Sequence, residues 1–328
     1  MIRFLDEIDK IIDYILRNDR FIVTSHINPD GDNIGSSIAI YEFIAGLGKD
    51  VKYVLDDDYP TNLKFLLDEK IKNKSNDILD RGQTIIALDS GDYSRICIDN
   101  DILEKATEII CIDHHMTNGE YSNYKYIDTK ASSTCELVYN LIKRYEERFE
   151  KMIISEKIAT SLYTGLITDT GNFQYSNTEV SSFIMAADLM TRNADKNKVI
   201  QNIFQSNTLK FYKILGESLS KMEVIDEKIS IIIVTNEMLL KNQVAYDDID
   251  AITPYSRDIE GVELGIFIKE KSVGEIKVSL RSKNYVDCTK IAKAFGGGGH
   301  IRASGCTITD VSVDEAREML IAESKKHI

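Results

Sequence analysis

Short apolar runs that each end in a histidine or an acid restrict this chain more than any other feature. Phe21-Ile22-Val23-Thr24-Ser25 leads into His26-Ile27-Asn28-Pro29-Asp30-Gly31-Asp32, Thr84-Ile85-Ile86-Ala87-Leu88 into Asp89, and Ile109-Ile110-Cys111-Ile112 into Asp113-His114-His115. Runs this continuous in β-branched residues read as strands buried on both faces, the condition of a parallel sheet covered by helices. In such a sheet the functional groups gather at the carboxyl ends of the strands. Three of the five histidines of the chain stand at those ends, among carboxylates.

The pattern between the runs supports this reading. Helical spacing is expected over 2–17, 33–46, 62–68 and 93–105, and strands over 20–25, 51–55, 84–88 and 108–112. From Ser132 to about Lys221 the chain reads as helical (133–148, 155–168, 179–191, 196–221), the last stretch as a connector. Strands then return at 229–234, 264–268 and 275–281. A helix near 287–294, the run Gly296-Gly297-Gly298-Gly299, a strand near 304–308 and a helix from Val313 follow. The fold class expected is α/β: a mostly parallel N-terminal sheet flanked by helices over 1–190, a helical connector over 191–222, and a smaller C-terminal α/β domain over 223–328.

Bulk properties narrow the function. With 328 residues and 43% hydrophobic content the chain can fill two cores. A net charge of −13, without any run of five or six lysines or arginines, excludes wrapping a long nucleic acid. Any nucleotide partner must be small and held locally. The five cysteines are scattered and lack CxxC spacing, as expected of buried thiols in a reducing cytoplasm. The amino terminus carries acids at helical spacing and no apolar stretch reaches 18 residues, so neither a leader nor a membrane partner is expected.

The acids and histidines at the strand ends form a coherent ligand set. Two divalent cations about 3.5–4 Å apart need one bridging carboxylate and terminal ligands on either side. Asp89, a single acid closing an apolar strand, suits the bridge. Asp30 and Asp32 can send one carboxylate to each ion, with Gly31 allowing a turn between them. His26 then joins Asp30 on one ion, while His114 and Asp169, from Thr168-Asp169-Thr170-Gly171, join Asp32 on the other. Asp113 is expected to hold the His114 ring or to support the loop, and His115 is left for the substrate phosphate. Carboxylate and imidazole without thiolate favour manganese, with magnesium, cobalt or iron as alternatives. Each acid alone reads as a helix cap or turn residue; their conjunction carries the metal reading.

These residues resemble the DHH phosphoesterase superfamily, named for the triplet that stands here as Asp113-His114-His115. His26 to Ser36, Leu88 to Asp92, Cys111 to His115 and Gly165 to Phe173 look like its four motifs, and the carried-over ligands are the set above. Gly296 to His300, followed by Arg302-Ala303-Ser304-Gly305, is similar to the glycine motif of the DHHA1 domain, so the resemblance spans the chain. It implies an N-terminal DHH domain, two divalent cations, and phosphoester hydrolysis by an activated water. Catalytic roles then fall to His115 and Asp113. Substrate contacts fall to Arg281, Gly297, Gly298, Gly299, His300, Arg302 and Ser304, on a domain expected to close over the nucleotide. The glycine amides are read as an anion-binding concavity.

The two-domain size resembles the nanoRNase and 3′-phosphoadenosine-5′-phosphate phosphatase group. It lacks the extra domains of RecJ exonucleases and the different C-terminal domain of type II pyrophosphatases. The expected substrates are short RNA oligonucleotides, attacked from the 3′ end, and adenosine 3′,5′-bisphosphate. Hydrolysis of cyclic di-AMP or pApA is the alternative reading, and a nucleotide-binding regulator a third. Oligomeric state stays open, a homodimer among the options.

Overall fold

A computed structural model describes residues 4–67, 72–78, 82–115 and 120–328. The chain divides into two compact units, Met1–Ser206 and Asn207–Ile328.

In the first unit, α1 (Leu5–Arg17) precedes β1 (Arg20–Ser25), α2 (Gly31–Gly46) and β2 (Asp50–Val54). After β3 (Lys72–Asn73) come β4 (Thr84–Leu88), α3 (Asn100–Glu104), β5 (Ile109–Asp113) and β6 (Tyr124–Ile127). Four helices close the unit: α4 (Thr134–Phe149), α5 (Glu156–Asp169), α6 (Val180–Thr191) and α7 (Lys196–Phe204). The six strands lie in the order β3-β2-β1-β4-β5-β6, and every pairing is parallel. Alternation across the pleat explains the apolar runs. Phe21 and Val23 pack into the core beneath α1, α2, α4 and α5, whereas Ile22, Ile85 and Ala87 face the opposite cluster with Ile98, Ile102 and Leu103.

From β1 the chain first steps outward to β2 and β3 and then returns to β4 on the other side of β1. Between β1 and β4, therefore, the strand order reverses, opening a crevice at their carboxyl ends. Register decides which residues meet there. Ser25 is level with Leu88 and Leu88 with Ile112, so the residues that follow, His26, Asp89 and Asp113, emerge side by side from three adjacent strands about 4.8 Å apart.

The second unit opens with α8 (Leu209–Ser220), followed by β7 (Glu223–Ile225), β8 (Ile229–Val234), α9 (Asn236–Asn242), α10 (Thr253–Arg257), β9 (Leu264–Ser272) and β10 (Glu275–Ser282). It ends in α11 (Cys288–Ala294), β11 (Gly298–His300), β12 (Ala303–Thr309) and α12 (Val313–Ser324). Its sheet runs β11-β12-β10-β9-β8-β7, with only β8 and β9 parallel among its pairs.

Several expected elements differ in detail. The helix expected over 196–221 is two helices, because Thr208 starts α8 afresh by accepting a hydrogen bond from the Phe211 amide. The expected 93–105 helix is a 3-10 turn at Tyr93–Arg95 and the short α3, which Asp99 caps. Over 62–68 the described residues form a 3-10 turn, Thr61–Leu66, and residue 68 lies outside the described residues, as do residues 2 and 3 of the opening helix. All five cysteines are free and buried. Among the described residues no helix is long and apolar enough to cross a membrane.

Candidate metal centre

Asp89 is the hub of the crevice. It sits just past β4 in the left-handed region (φ 55°), a conformation that is uncommon for a residue with a side chain and is held only where the surroundings impose it. Its amide donates to Ile112 O at 3.0 Å, tying it to β5. One carboxylate oxygen, Oδ2, lies 3.2 Å from His26 Nε2. The other, Oδ1, lies 3.7 Å from His114 Nε2 and 3.3 Å from His115 Nδ1.

Around this hub, ligand-type atoms of His26, Asp30 and Asp89 lie within 4.8 Å of one another, as do those of Asp32, His114 and Asp169. A third overlapping set joins Asp89, His114 and His115. His114 Nε2 approaches Asp169 Oδ2 to 3.4 Å and Asp32 Oδ2 to 3.8 Å. The structure thus brings together all six residues expected as metal ligands.

Four of these side chains are held by backbone groups. His26 Nδ1 lies 2.7 Å from Ile27 O, which fixes the ring with Nε2 turned toward Asp89 Oδ2. Asp30 caps α2, its Oδ1 accepting from the amides of Asp32 and Asn33 at 3.1 and 3.0 Å. The helix-cap reading of this acid and its place in the ligand cluster hold together. Asp32 occupies the first turn of α2 and reaches the start of α4, where Thr134 N donates to Oδ2 at 2.7 Å and Cys135 N to Oδ1 at 2.8 Å. Free amides at a helix N-terminus are natural partners of a carboxylate. His114 Nδ1 lies 3.3 Å from Ala131 O.

Two expectations change here. Gly31 makes no turn; it begins α2, and a Cβ there would sit 2.3 Å from Thr168 Oγ1, so close packing against α5 explains it. Asp113 holds His115 rather than His114. Its Oδ1 accepts from the His115 amide at 3.1 Å and from His115 Nδ1 at 2.7 Å, because a fully buried carboxylate at the last residue of β5 meets the backbone two residues on.

The electrostatics fit cations. Burial, then the charges of Asp89 and Asp169, push the Asp32 carboxyl well above its ordinary range. Desolvation and the charges of Asp30 and Asp89 do the same to Asp169. Burial also opposes ionisation of Asp89, yet hydrogen bonds with His115 and His26 and the His114 charge hold it well below that range. Like-charged acids are therefore pressed together around a centre short of positive charge. Oxygen and imidazole donors without thiolate suit a hard or borderline divalent cation.

Sequence reasoning missed the other side of the crevice. Thr134 Oγ1 donates to Asp89 Oδ1 at 2.9 Å. Asn33, fully buried, accepts from Ser25 Oγ at 2.6 Å and donates to His26 O at 3.1 Å, fastening β1 to α2. The available signal was Ser133-Thr134-Cys135-Glu136, a helix-start pattern in which Ser133 Oγ accepts from the Glu136 amide at 3.1 Å.

In the second unit, Arg281, Ala303 and His300 stand level on β10, β12 and β11. Ser279, Gly305 and Gly298 form the next row. Arg281 lies on the face opposite Val278 and Leu280, which enter the core. The result is nearly bare backbone between Arg281 and His300. The glycine run itself is not a loop of free amides. Gly296 and Gly297 donate to Lys293 O and Ala292 O at 3.1 and 2.9 Å, closing α11 with Gly296 at φ 71°, so the Gly297 amide is unavailable to an anion. Gly298 and Gly299 begin β11 instead. Ser304 is buried and donates to His300 O at 2.8 Å, and Arg302 donates to Val286 O at 2.8 Å; both fasten the hairpin.

Comparison with known proteins agrees with this geometry. Residues 20–166 match the model of the DHH family, N-terminal domain, and residues 229–326 that of the DHHA1 domain. The chain is 30% identical over 306 residues to the bifunctional oligoribonuclease and PAP phosphatase NrnA of Thermus thermophilus, covering 93% of this chain and 89% of that protein. It is 25% identical to the cyclic-di-AMP phosphodiesterase PdeA of Listeria monocytogenes, over 94% of this chain but 48% of that protein. Among solved structures, an exopolyphosphatase-related protein from Bacteroides fragilis superposes with a TM-score of 0.89 at 26% identity, covering 99% of this chain and 98% of that one.

Proposed function

The chain belongs to the DHH family and carries a DHHA1 domain, and on that premise we propose that it is a manganese-dependent phosphoesterase. Its substrates on this reading are short oligoribonucleotides, shortened from the 3′ end, and adenosine 3′,5′-bisphosphate. The observation that carries the reading is the set His26, Asp30 and Asp89 beside the set Asp32, His114 and Asp169, with Asp89 Oδ1 3.7 Å from His114 Nε2, in a chain that matches an oligoribonuclease and PAP phosphatase along nearly its whole length. A net charge of −13 supports small substrates over long RNA. The work is that of a cytoplasmic enzyme, alone or as a homodimer.

His26, Asp30 and Asp89 would hold one ion, and Asp32, Asp89, His114 and Asp169 the other. When bound, two such ions acidify a water and neutralise charge on a phosphoryl group. The side chains of this chain do the rest. Asp113 fixes the His115 ring through Nδ1. Burial pulls the His115 pKa down, but Asp113 and Asp89 outweigh it and raise it to about 11. A protonated ring held in this way is suited to donating to a phosphate oxygen. In the second unit Arg281 and His300 grip a further phosphate, and the bare backbone at Gly298, Ala303 and Gly305 accepts the nucleotide closely.

The likeness to a cyclic-di-AMP phosphodiesterase favours pApA and cyclic di-AMP as the second reading. One assay separates the two: hydrolysis of RNA two- to ten-mers, adenosine 3′,5′-bisphosphate, pApA and cyclic di-AMP in parallel, with Mn2+ and with chelator. Chelator-sensitive turnover of dimers to five-mers and of the bisphosphate, with cyclic di-AMP spared, is expected. Preference for cyclic di-AMP would overturn the leading reading.

A further inference from the structure

We propose that Thr134 is the positioning residue that fixes the shared carboxylate and sets the affinity of one cation site selectively. The inference rests on the reading of the crevice as a two-cation centre.

Asp89 turns its two oxygens to different partners. Oδ2 faces His26 at 3.2 Å, whereas Oδ1 faces His114 at 3.7 Å and accepts the Thr134 hydroxyl at 2.9 Å. The hydroxyl is the donor in this bond, the carboxylate oxygen the acceptor. Thr134 is fully buried, so no water replaces that bond at low cost. Its backbone amide meanwhile donates to Asp32 Oδ2 at 2.7 Å, and Asp32 lies in the set with His114 and Asp169. One residue thus touches the oxygen of Asp89 that faces the His114 side and a second carboxylate of that same side. Among the described residues its bonds at the centre go to Asp32 and Asp89, not to His26 or Asp30. Groups that orient metal ligands in this way typically change affinity about 10–100-fold when removed.

Thr134→Val keeps the shape and the backbone amide while deleting the hydroxyl; Thr134→Ser keeps the hydroxyl. The test is a titration of the full chain with Mn2+ alone, free aquo-ion followed by electron paramagnetic resonance and fitted to two sites. For Thr134→Val, one dissociation constant is expected to rise about 10-fold or more, the other to stay within about 2-fold, and Thr134→Ser to restore the wild-type pair. His26→Ala identifies the spared site, since it should weaken the site that Thr134→Val leaves alone. Equal weakening of both sites, or no change, overturns the role of Thr134 while leaving the metal assignment standing. Failure of the wild-type chain to take up Mn2+ overturns that assignment and this inference with it.

Discussion

Gly165 is where fold and centre are most tightly coupled. It lies inside α5, where glycine costs about 0.5–1 kcal/mol relative to alanine. A Cβ there would fall 2.2 Å from Cys135 Sγ, 2.7 Å from Asp32 Oδ1 and 2.9 Å from Asp32 Cα. Ordinary contact is about 3.5–4.0 Å, so α2, α4 and α5 must part by more than an ångström. Overpacking of this kind costs about 1–3 kcal/mol, which exceeds the helix-propensity gain and leaves Gly165→Ala about 1–2 kcal/mol less stable. In a domain of about 200 residues each kcal/mol lowers Tm by about 2–4 °C. The displaced carboxylate is a ligand candidate, and a misplacement of about 1 Å in such a centre can cost about 10²-fold in rate. Scanning calorimetry and Mn2+-dependent hydrolysis of a ribonucleotide dimer measure both effects. Gly216→Ala is the matched control, since Gly216 lies in α8 with nothing within 4 Å of its Cβ position; it should gain about 0.5–1 kcal/mol. Adding Cys135→Ala to Gly165→Ala removes the sulfur but not the Asp32 contacts, so recovery should be partial. A Gly165→Ala protein as stable and active as wild type would refute the packing argument.

Two further predictions concern single carboxylates. Asp113→Asn should lower kcat about 10–100-fold while leaving Mn2+ affinity within about 2-fold, because Asp113 bonds His115 and not His114; weakened Mn2+ binding in a titration would contradict that assignment. Glu263 is buried and accepts from the amides of Asn284, Tyr285 and Val286 at 2.9, 2.7 and 3.0 Å. Desolvation raises its pKa, but these amides outweigh it and hold the carboxyl below its ordinary value. A depressed folded pKa stabilises above the unfolded value of about 4.3 and stops doing so as pH falls through the folded one. Glu263→Gln should therefore lose about 1–3 kcal/mol at pH 7 and converge on wild type in urea denaturation as acid carries the carboxyl through its depressed pKa; a gap unchanged by acid would count against it.

What the sequence discloses follows burial and locality. β1, β4 and β5 announce themselves because central parallel strands need apolar residues on both faces, and their polar ends locate the crevice. β3 has two residues, β7 and β11 three each, and β6 alternates too weakly, so none carries a readable period. The break before α8 is marked only by the short polar stretch Gln205-Ser206-Asn207-Thr208, set between two amphipathic helices that otherwise read as one. Thr134 escaped notice for another reason. Its partners lie 45 and 102 residues away, and no local pattern reports such contacts. The glycine run misled in the opposite sense: its composition suggests an open loop, whereas its first amides finish α11 and the rest pair as an edge strand.

The caps on these acids also set an order of events. Asp30 is tied to the start of α2 and Asp32 to the start of α4, so helix amides already restrain the mutual repulsion of the cluster. A zinc finger must wait for its ion before it can fold. Here the carboxylates are secured by the folding of the helices themselves, so on the proposed two-cation reading the chain is expected to fold before it takes up an ion. Which cation the centre carries is then decided on a finished frame, by supply and fit, and can change without remaking the fold.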